Sequence, residues 1–171
     1  IVFYKEFPSE GIRTSLISNP MKASARLKEA IQQAQKELMI QILQVVVGMP
    51  RSDVSQVTAS ARIARSNPDE YISAEEVESL KSIALDTYPL PNPEKQIMYG
   101  AVAQSFSIDD EIQLVEDEVV GTLSSSLEGN FKVFIGSRNA TTALDKIFNS
   151  LNIAVAKKYF LPEVVARTVL S

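Results

Sequence analysis

Apolar residues recur at helical spacing in four segments of the chain. The first segment follows Asn19 and Pro20, which supply an N-cap and a proline suited to the first helical position. The others begin at Ser73, near Asn139 and at Pro162. Spacings of three and four residues place apolar side chains on one face of a helix. The sequence therefore predicts four helices.

Segments rich in β-branched and aromatic residues predict the strands. These segments cover residues 1–7, 41–47, 54–66, 94–109, 131–135 and 153–161. The Leu-Gln-Val-Val-Val run at 43–47 is typical of a strand buried on both faces, whereas 54–66 alternates and predicts a half-exposed strand. Gly129 and Asn130 indicate a turn before the fifth strand, which we expect to pair antiparallel with the fourth. This mixture of strand pairs and helices predicts an α+β fold.

The segment from residue 67 to residue 80 is rich in carboxylates: Asp69, Glu70, Glu75, Glu76 and Glu78. Ser73 stands three residues before Glu76, the spacing of a capping box, and Ile72 and Val77 occupy the positions of a hydrophobic staple. Acidic side chains in a first helical turn also complement the helix dipole. These features predict a helix start, so a catalytic carboxylate pair is not needed to explain the cluster.

A second group of carboxylates follows the fourth predicted strand: Asp109, Asp110, Glu111, Glu116, Asp117 and Glu118. Their spacing does not match a calcium-binding loop of the D-x-D-x-D-G type. We interpret the segment as a solvent-facing acidic loop and as a candidate partner-binding surface. No metal-binding residue is assigned.

The composition excludes several kinds of chemistry. The 171 residues include no Cys and no His, so thiolate zinc sites, cysteine nucleophiles and Ser-His-Asp triads cannot occur. Neither a G-x-x-x-x-G-K-S/T nor a G-x-G-x-x-G phosphate-binding motif is present. The net charge of -4 argues against a nucleic-acid binder. We therefore assign no catalytic and no cofactor-binding residue, and we expect a non-enzymatic chain.

The ends and the hydropathy of the chain add two expectations. The first residue is Ile1, and the last segment stops within an apolar periodic pattern, which suggests a fragment cut from a longer protein. No apolar run approaches the roughly 18 to 20 residues that a membrane helix needs. We expect a cytoplasmic location with no direct membrane contact by this segment.

Three local motifs, in this order and spacing, resemble the FtsA family of bacterial cell-division proteins in the actin-like superfamily. They are DEYISAEEVESL at 69–80, QSFSIDD at 104–110 and VEDEVVG at 115–121. The last resembles a V-x-D-P-x-G turn of the family, with Glu118 in place of proline. Ala103 likewise stands where a proline often precedes the second motif. These two departures indicate a divergent branch.

The resemblance implies a domain organisation. Residues 1–53 would be the end of actin-like, ribonuclease H-like subdomain 1A, and residues 153–171 would return into it. Residues 54–152 would form the inserted SHS2 module, or subdomain 1C, with strand-helix-strand-strand order, an antiparallel sheet and two helices.

The resemblance also implies a function. FtsA-like proteins bind ATP with Mg²⁺, polymerise, and anchor the FtsZ ring at the inner face of the cell membrane as peripheral proteins. The inserted module contributes to self-association and to recruitment of division proteins. This segment would lack the phosphate loops, the FtsZ site and the membrane helix, so ATP and FtsZ would be bound by other parts of the longer protein.

Two alternative functions stay open at this point. A PilM-like pilus-assembly adaptor would share the actin-like architecture. An SHS2-type domain that binds a small molecule would need a concave apolar pocket with a few convergent polar groups.

Overall fold

Five helices and eight strands are formed by residues 2–14, 16–49, 54–110 and 112–169, the part of the chain that this computed structural model describes. The helices are α1 (Pro20–Leu38), α2 (Ala74–Thr87), α3 (Glu116–Val119), α4 (Arg138–Ser150) and α5 (Leu161–Val169). The strands are β1 (Ile12–Arg13), β2 (Leu16–Ile17), β3 (Gln44–Met49), β4 (Ser55–Ala64), β5 (Gln96–Ile108), β6 (Ile112–Leu114), β7 (Ser126–Ser137) and β8 (Ala154–Phe160). The α+β prediction is confirmed.

The chain divides into two compact units. Unit 2 is the continuous segment Val54–Gly136, and unit 1 combines the segments on either side of it. In unit 1, β3 and β8 pair in parallel, from Gln44 opposite Ala154 to Met49 opposite Phe160. Unit 2 is therefore an insertion between two strands that are neighbours in one sheet.

Unit 2 contains a four-stranded sheet in the order β4-β7-β5-β6. β4 and β7 are antiparallel over the whole of β4, from Ser55 opposite Ile135 to Ala64 opposite Ser126. β5 and β6 are also antiparallel. β5 and β7 run in opposite directions. Asp109, directly after the end of β5, bonds to Ser126, at the start of β7, while Tyr99, near the start of β5, packs on Gly136, near the end of β7. Every neighbouring pair in this sheet is thus antiparallel.

The core of unit 2 lies between this sheet and α2. The helix buries Val77, Leu80 and Ala84. From the sheet, Phe106 and Phe131 meet edge to face with ring centroids 5.8 Å apart. In β4, alternate residues turn toward the core while those between them are exposed, as the alternating sequence predicts.

The start of α1 and the start of α2 agree with the sequence predictions. Asn19 caps α1, because its side-chain oxygen accepts the Lys22 backbone N–H at 3.1 Å, and Pro20 is the first helical residue. Ser73 caps α2. β5 and β8 also form where strands were predicted.

Three strand predictions were wrong. No strand forms at residues 2–7, because no described strand pairs with them; Ile1 lies outside the described residues. β7 runs straight through Gly129 and Asn130 with no turn. A Cβ at Gly129 would lie 2.9 Å from Leu80 Cδ2, so this glycine allows a close approach of helix and sheet. β3 is half exposed because, within the described chain, it pairs on one side with β8 and has no second strand.

Two further details differ from the sequence predictions. The N-cap of α4 is Ser137, and Asn139 lies inside the helix. The predicted module extends to residue 152, whereas the compact unit ends at Gly136 and α4 contacts α1 and β8 of unit 1. The assignment of these segments to family subdomains stays a prediction.

Candidate interaction surface

The carboxylates at the start of α2 serve helix formation. Ser73 Oγ accepts the Glu76 backbone N–H at 3.2 Å, and Glu76 Oε2 accepts the Ser73 backbone N–H at 2.9 Å. The staple residues Ile72 and Val77 are both buried. The capping box is confirmed, and the two staple residues belong to the same buried cluster.

Glu76 has a second partner that the sequence analysis missed. Arg65 follows β4, and its guanidinium donates to the two carboxylate oxygens of Glu76 at 2.9 and 3.2 Å. A third bond joins Arg65 to the backbone oxygen of Ser124 at 2.9 Å. The Arg65 side chain is only 3% exposed. The pair lies eleven residues apart in sequence, a separation that no helical or strand periodicity marks.

These contacts fix the charge state of Glu76. The Arg65 hydrogen bond, followed by the Ser73 backbone N–H, lowers the pKa of the Glu76 carboxyl. A general acid near neutral pH needs the opposite shift. Glu76 is thus an ionised structural group that ties α2 to the end of β4.

The first acids of the second group hold a turn. Asp109 Oδ1 accepts the Ser125 hydroxyl at 2.6 Å and the backbone N–H groups of Ser125 and Ser126 at 2.9 and 3.0 Å. These bonds, the Ser125 hydroxyl first, lower the pKa of Asp109. Asp110 Oδ2 accepts from Arg62 Nη2 at 2.7 Å. Both residues adopt positive φ, which aspartate tolerates, so they shape the connection from β5 to β6.

Of the remaining acids of this group, one supports a helix and two are exposed. The Glu118 carboxylate accepts the Val115 backbone N–H at 3.1 Å and closes the single turn of α3. Glu116 and Asp117 are exposed in the first turn of that helix. In the described part of the chain they make no ion pair. Glu111 lies outside the described residues.

Exposed apolar side chains lie in the same part of unit 2 as Glu116 and Asp117. The Ile72 N–H donates to Thr122 O, and the Gly121 N–H donates to Ile72 O, both at 2.9 Å. These bonds join the entry to α2 with the segment after α3. The large exposed apolar residues in these two segments are Tyr71, Val120 and Leu123, and Val115 at the N-cap of α3 is also exposed. Together with Glu116 and Asp117 we name them the loop-end surface.

The loop-end surface has the composition of a protein-binding patch more than that of a reaction centre. Aromatic and aliphatic side chains at the surface favour contact with another protein, and unpaired acids around them select the charge of that partner. Among the described residues, no group of three Asp or Glu side chains is arranged to hold a metal ion. No described helix combines the length and the apolar character of a membrane span.

A cavity of about 380 Å³ lies in unit 1, where the end of α1, the start of β3 and the turn before β8 meet. Amide side chains dominate its polar lining, including Gln32, Gln41 and Asn152. Gln35, also in the lining, already accepts the Ile42 backbone N–H at 2.8 Å. The cavity therefore lies outside the inserted unit, and no charged cluster in it indicates a ligand.

Comparison with known proteins shows a similarity to a cell-division protein. No family model matches the chain. The chain is 27% identical over 163 residues to the cell division protein FtsA of Enterococcus hirae. The matched region covers 95% of this chain and 36% of that protein. The chain thus spans about a third of the length of this relative.

Proposed function

We propose that this chain is a non-catalytic protein-interaction region of an FtsA-like cell-division adaptor. The observation that carries the proposal is the insertion of unit 2 between the paired parallel strands β3 and β8. An inserted strand-helix-strand-strand module within an actin-like subdomain is the arrangement that the motif resemblance implies. The similarity to FtsA along nearly the whole chain supports the same proposal.

In this proposal unit 2 contacts other copies of the adaptor and other division proteins. For the other division proteins, the loop-end surface is the candidate contact region, because Tyr71 and Leu123 present apolar area while Glu116 and Asp117 present unpaired negative charge. Desolvating the apolar side chains on binding would supply affinity, and the carboxylates would disfavour acidic partners. The acids at 109, 110 and 118 would support the surface through their turn and helix contacts.

The nucleotide, the FtsZ ring and the membrane belong, in this proposal, to other parts of a longer protein. That protein would bind ATP with Mg²⁺ and would lie at the inner face of the cell membrane at the division site. Within this chain, the sequence has no phosphate-binding motif. Two of its carboxylates, Glu76 and Asp109, already accept several hydrogen bonds from the protein itself.

The proposal is tested by affinity capture with the tagged 171-residue chain from a lysate of the source cells, followed by mass spectrometry. We expect FtsA and other division proteins among the captured proteins. A Leu123→Asp and Tyr71→Asp double variant should lose the division proteins other than FtsA, since the added charge cannot be buried. Ser79→Asp, on the exposed face of α2, is the matched control and should retain them. Capture of pilus-assembly components in place of division proteins would contradict the proposal.

Nucleotide binding gives an independent test. Calorimetry of the chain with ATP and Mg²⁺ should show no heat of binding. Affinity in the micromolar range would contradict the assignment of the nucleotide site to other parts of the protein.

A further inference from the structure

The two edges of the sheet in unit 2 differ in how they can accept another strand. One edge is β6, which has three residues and leads directly into α3. The other edge is β4, which has ten residues and pairs with β7 without a bulge. Short strands, bulges, prolines and charges are the usual protections of an edge. In β4 the single such feature is Arg62, whose charge is paired with Asp110.

The unpaired hydrogen-bonding groups of β4 can be identified from its register. The Arg65 backbone N–H donates to Ser125 O at 2.8 Å, in register with the β4–β7 pairs. In an antiparallel strand, N–H and C=O groups of one residue point to the same side, and the side alternates along the chain. Residues with odd numbers therefore face β7. The residues that face away are Gln56, Thr58, Ser60, Arg62 and Ala64.

These outward-facing groups are accessible. All five residues are exposed, and within the described chain no strand and no backbone hydrogen bond from another segment covers them. On the core side of the same strand, Val57, Ala61 and Ile63 are only partly buried, although they pack against the core. A strand added at this edge would satisfy the backbone groups and would cover part of this apolar row.

We propose that β4 pairs with β4 of a second copy of this chain, antiparallel, about a two-fold axis at Ser60. This inference rests on the self-association in the proposed function and names its surface. An axis at Ser60 brings Thr58 opposite Arg62 of the second copy and Gln56 opposite Ala64. All five outward residues are then paired, with about ten hydrogen bonds between the copies. An axis at Ala59 would leave Ala64 without a partner in β4.

The side chains of β4 suit this arrangement. Arg62, the one charged residue of the strand, meets an uncharged threonine, so no like charges are opposed. A two-fold axis perpendicular to the sheet keeps the core sides of both sheets on one face. The result is a continuous eight-stranded sheet built from two copies of unit 2.

Proline substitutions at two adjacent positions, 60 and 61, test the edge, because the N–H groups of these residues face opposite sides of β4. Ser60→Pro removes an outward N–H and leaves the β4–β7 ladder intact, since proline is tolerated where a strand N–H faces away from the sheet. We expect sedimentation equilibrium of the 171-residue chain to show a dimer, and Ser60→Pro to raise its dissociation constant at least tenfold. Ser60→Ala should dimerise like the unsubstituted chain.

Ala61→Pro removes an N–H that faces β7 and should lose hydrogen-exchange protection in β4 and β7, whereas Ser60→Pro should keep the protection in β7.

Disulfide trapping tests the register, because the chain contains no cysteine. Opposite residues in a hydrogen-bonded antiparallel pair have Cα atoms roughly 5.5 Å apart, within disulfide range. We expect Ser60→Cys to cross-link with itself under mild oxidation. Thr58→Cys and Arg62→Cys should cross-link when mixed and much less when alone, and Ser79→Cys on α2 should not cross-link.

Three results would each overturn the inference. The chain could be a monomer at all accessible concentrations, its dimer could be unaffected by Ser60→Pro, or cross-linking at position 60 could be no stronger than at position 79. The proposed function fails by a different result, the absence of division proteins in affinity capture. The loop-end variants of that experiment leave β4 unchanged. Failure of one proposal is therefore distinguishable from failure of the other.

Discussion

Unit 2 and unit 1 bury their apolar residues to very different extents. In unit 2, α2 and four strands enclose Phe106, Phe131 and Leu127, which are almost inaccessible to solvent. In unit 1, the sheet of β3 and β8 has two parallel strands, and Val46 of β3 is 61% exposed. Parallel sheets are usually covered on both faces. The comparison indicates that unit 2 carries its own stabilising core, whereas the sheet of unit 1 leaves apolar surface that further structure could cover.

The largest expected effect contrasts one apolar residue from each sheet. Phe131→Ala should lower the free energy of unfolding of unit 2 by about 4 kcal/mol, because it removes a buried ring that packs against Phe106. Val46→Ala should change stability by less than about 0.5 kcal/mol, since its side chain is largely in water already. Hydrogen exchange in increasing urea, followed separately for peptides of each unit, measures both. Equal losses in the two units would contradict the comparison.

The next effect concerns the buried guanidinium of unit 2. Glu76→Ala should cost about 2 kcal/mol, because Arg65 is left buried with Ser124 O as its remaining partner. Glu76→Gln keeps an acceptor for the Ser73 N–H and should cost less. Urea unfolding followed by circular dichroism gives the values. A smaller loss for the alanine variant than for the glutamine variant would show that Arg65 finds another partner.

The helix cap should contribute less than the ion pair. Ser73→Ala should lower stability by about 1 kcal/mol through loss of the bond to the Glu76 N–H. Ser73→Thr retains the hydroxyl and is the control. Unfolding midpoints of the three proteins at one pH provide the measurement, and no difference between alanine and serine at this position would contradict the capping role.

Acidification should cause the smallest of these losses of stability in unit 2. The pKa values of Glu76 and Asp109 are lowered in the folded chain, so each contributes stability above its unfolded pKa and loses it as the pH falls through its folded pKa. The loss should begin below about pH 4. Asp109→Asn should flatten the pH dependence in unit 2 and leave that of unit 1 unchanged, as measured by hydrogen exchange. A stability that rises below pH 4 would contradict this sign.

Local features of the fold could be predicted from the sequence. The caps at Asn19 and Ser73 and the alternation of β4 depend on residues close together in the chain, so their patterns indicate the structure directly. Gly129 was predicted as a turn because a glycine's neighbours in sequence do not reveal which side chain packs on it. Here the side chains that pack on it are Phe131, from the same strand, and Leu80, from α2. The strand predicted at residues 1–7 failed for the same reason, since a strand depends on a partner that no local pattern specifies.

The candidate site was predictable only as a concentration of acids. Some of those acids are structural because they bond to residues of other strands or loops. Asp110 bonds to Arg62, and Asp109 bonds to Ser125. Arg65 was missed because one arginine after a half-exposed strand carries no periodic pattern. The apolar part of the loop-end surface was also missed, since exposure of Tyr71 and Leu123 is a property of the folded unit.

The register of β4 and β7 has a consequence for how such a protein could be rebuilt. Ser55 lies directly opposite Ile135, so the chain enters and leaves unit 2 on adjacent strands. A host domain therefore needs to span only the short gap between two neighbouring strands to accommodate the whole insert. Such a segment can be exchanged between related proteins, or replaced by a tight hairpin, with little demand on the geometry of its host.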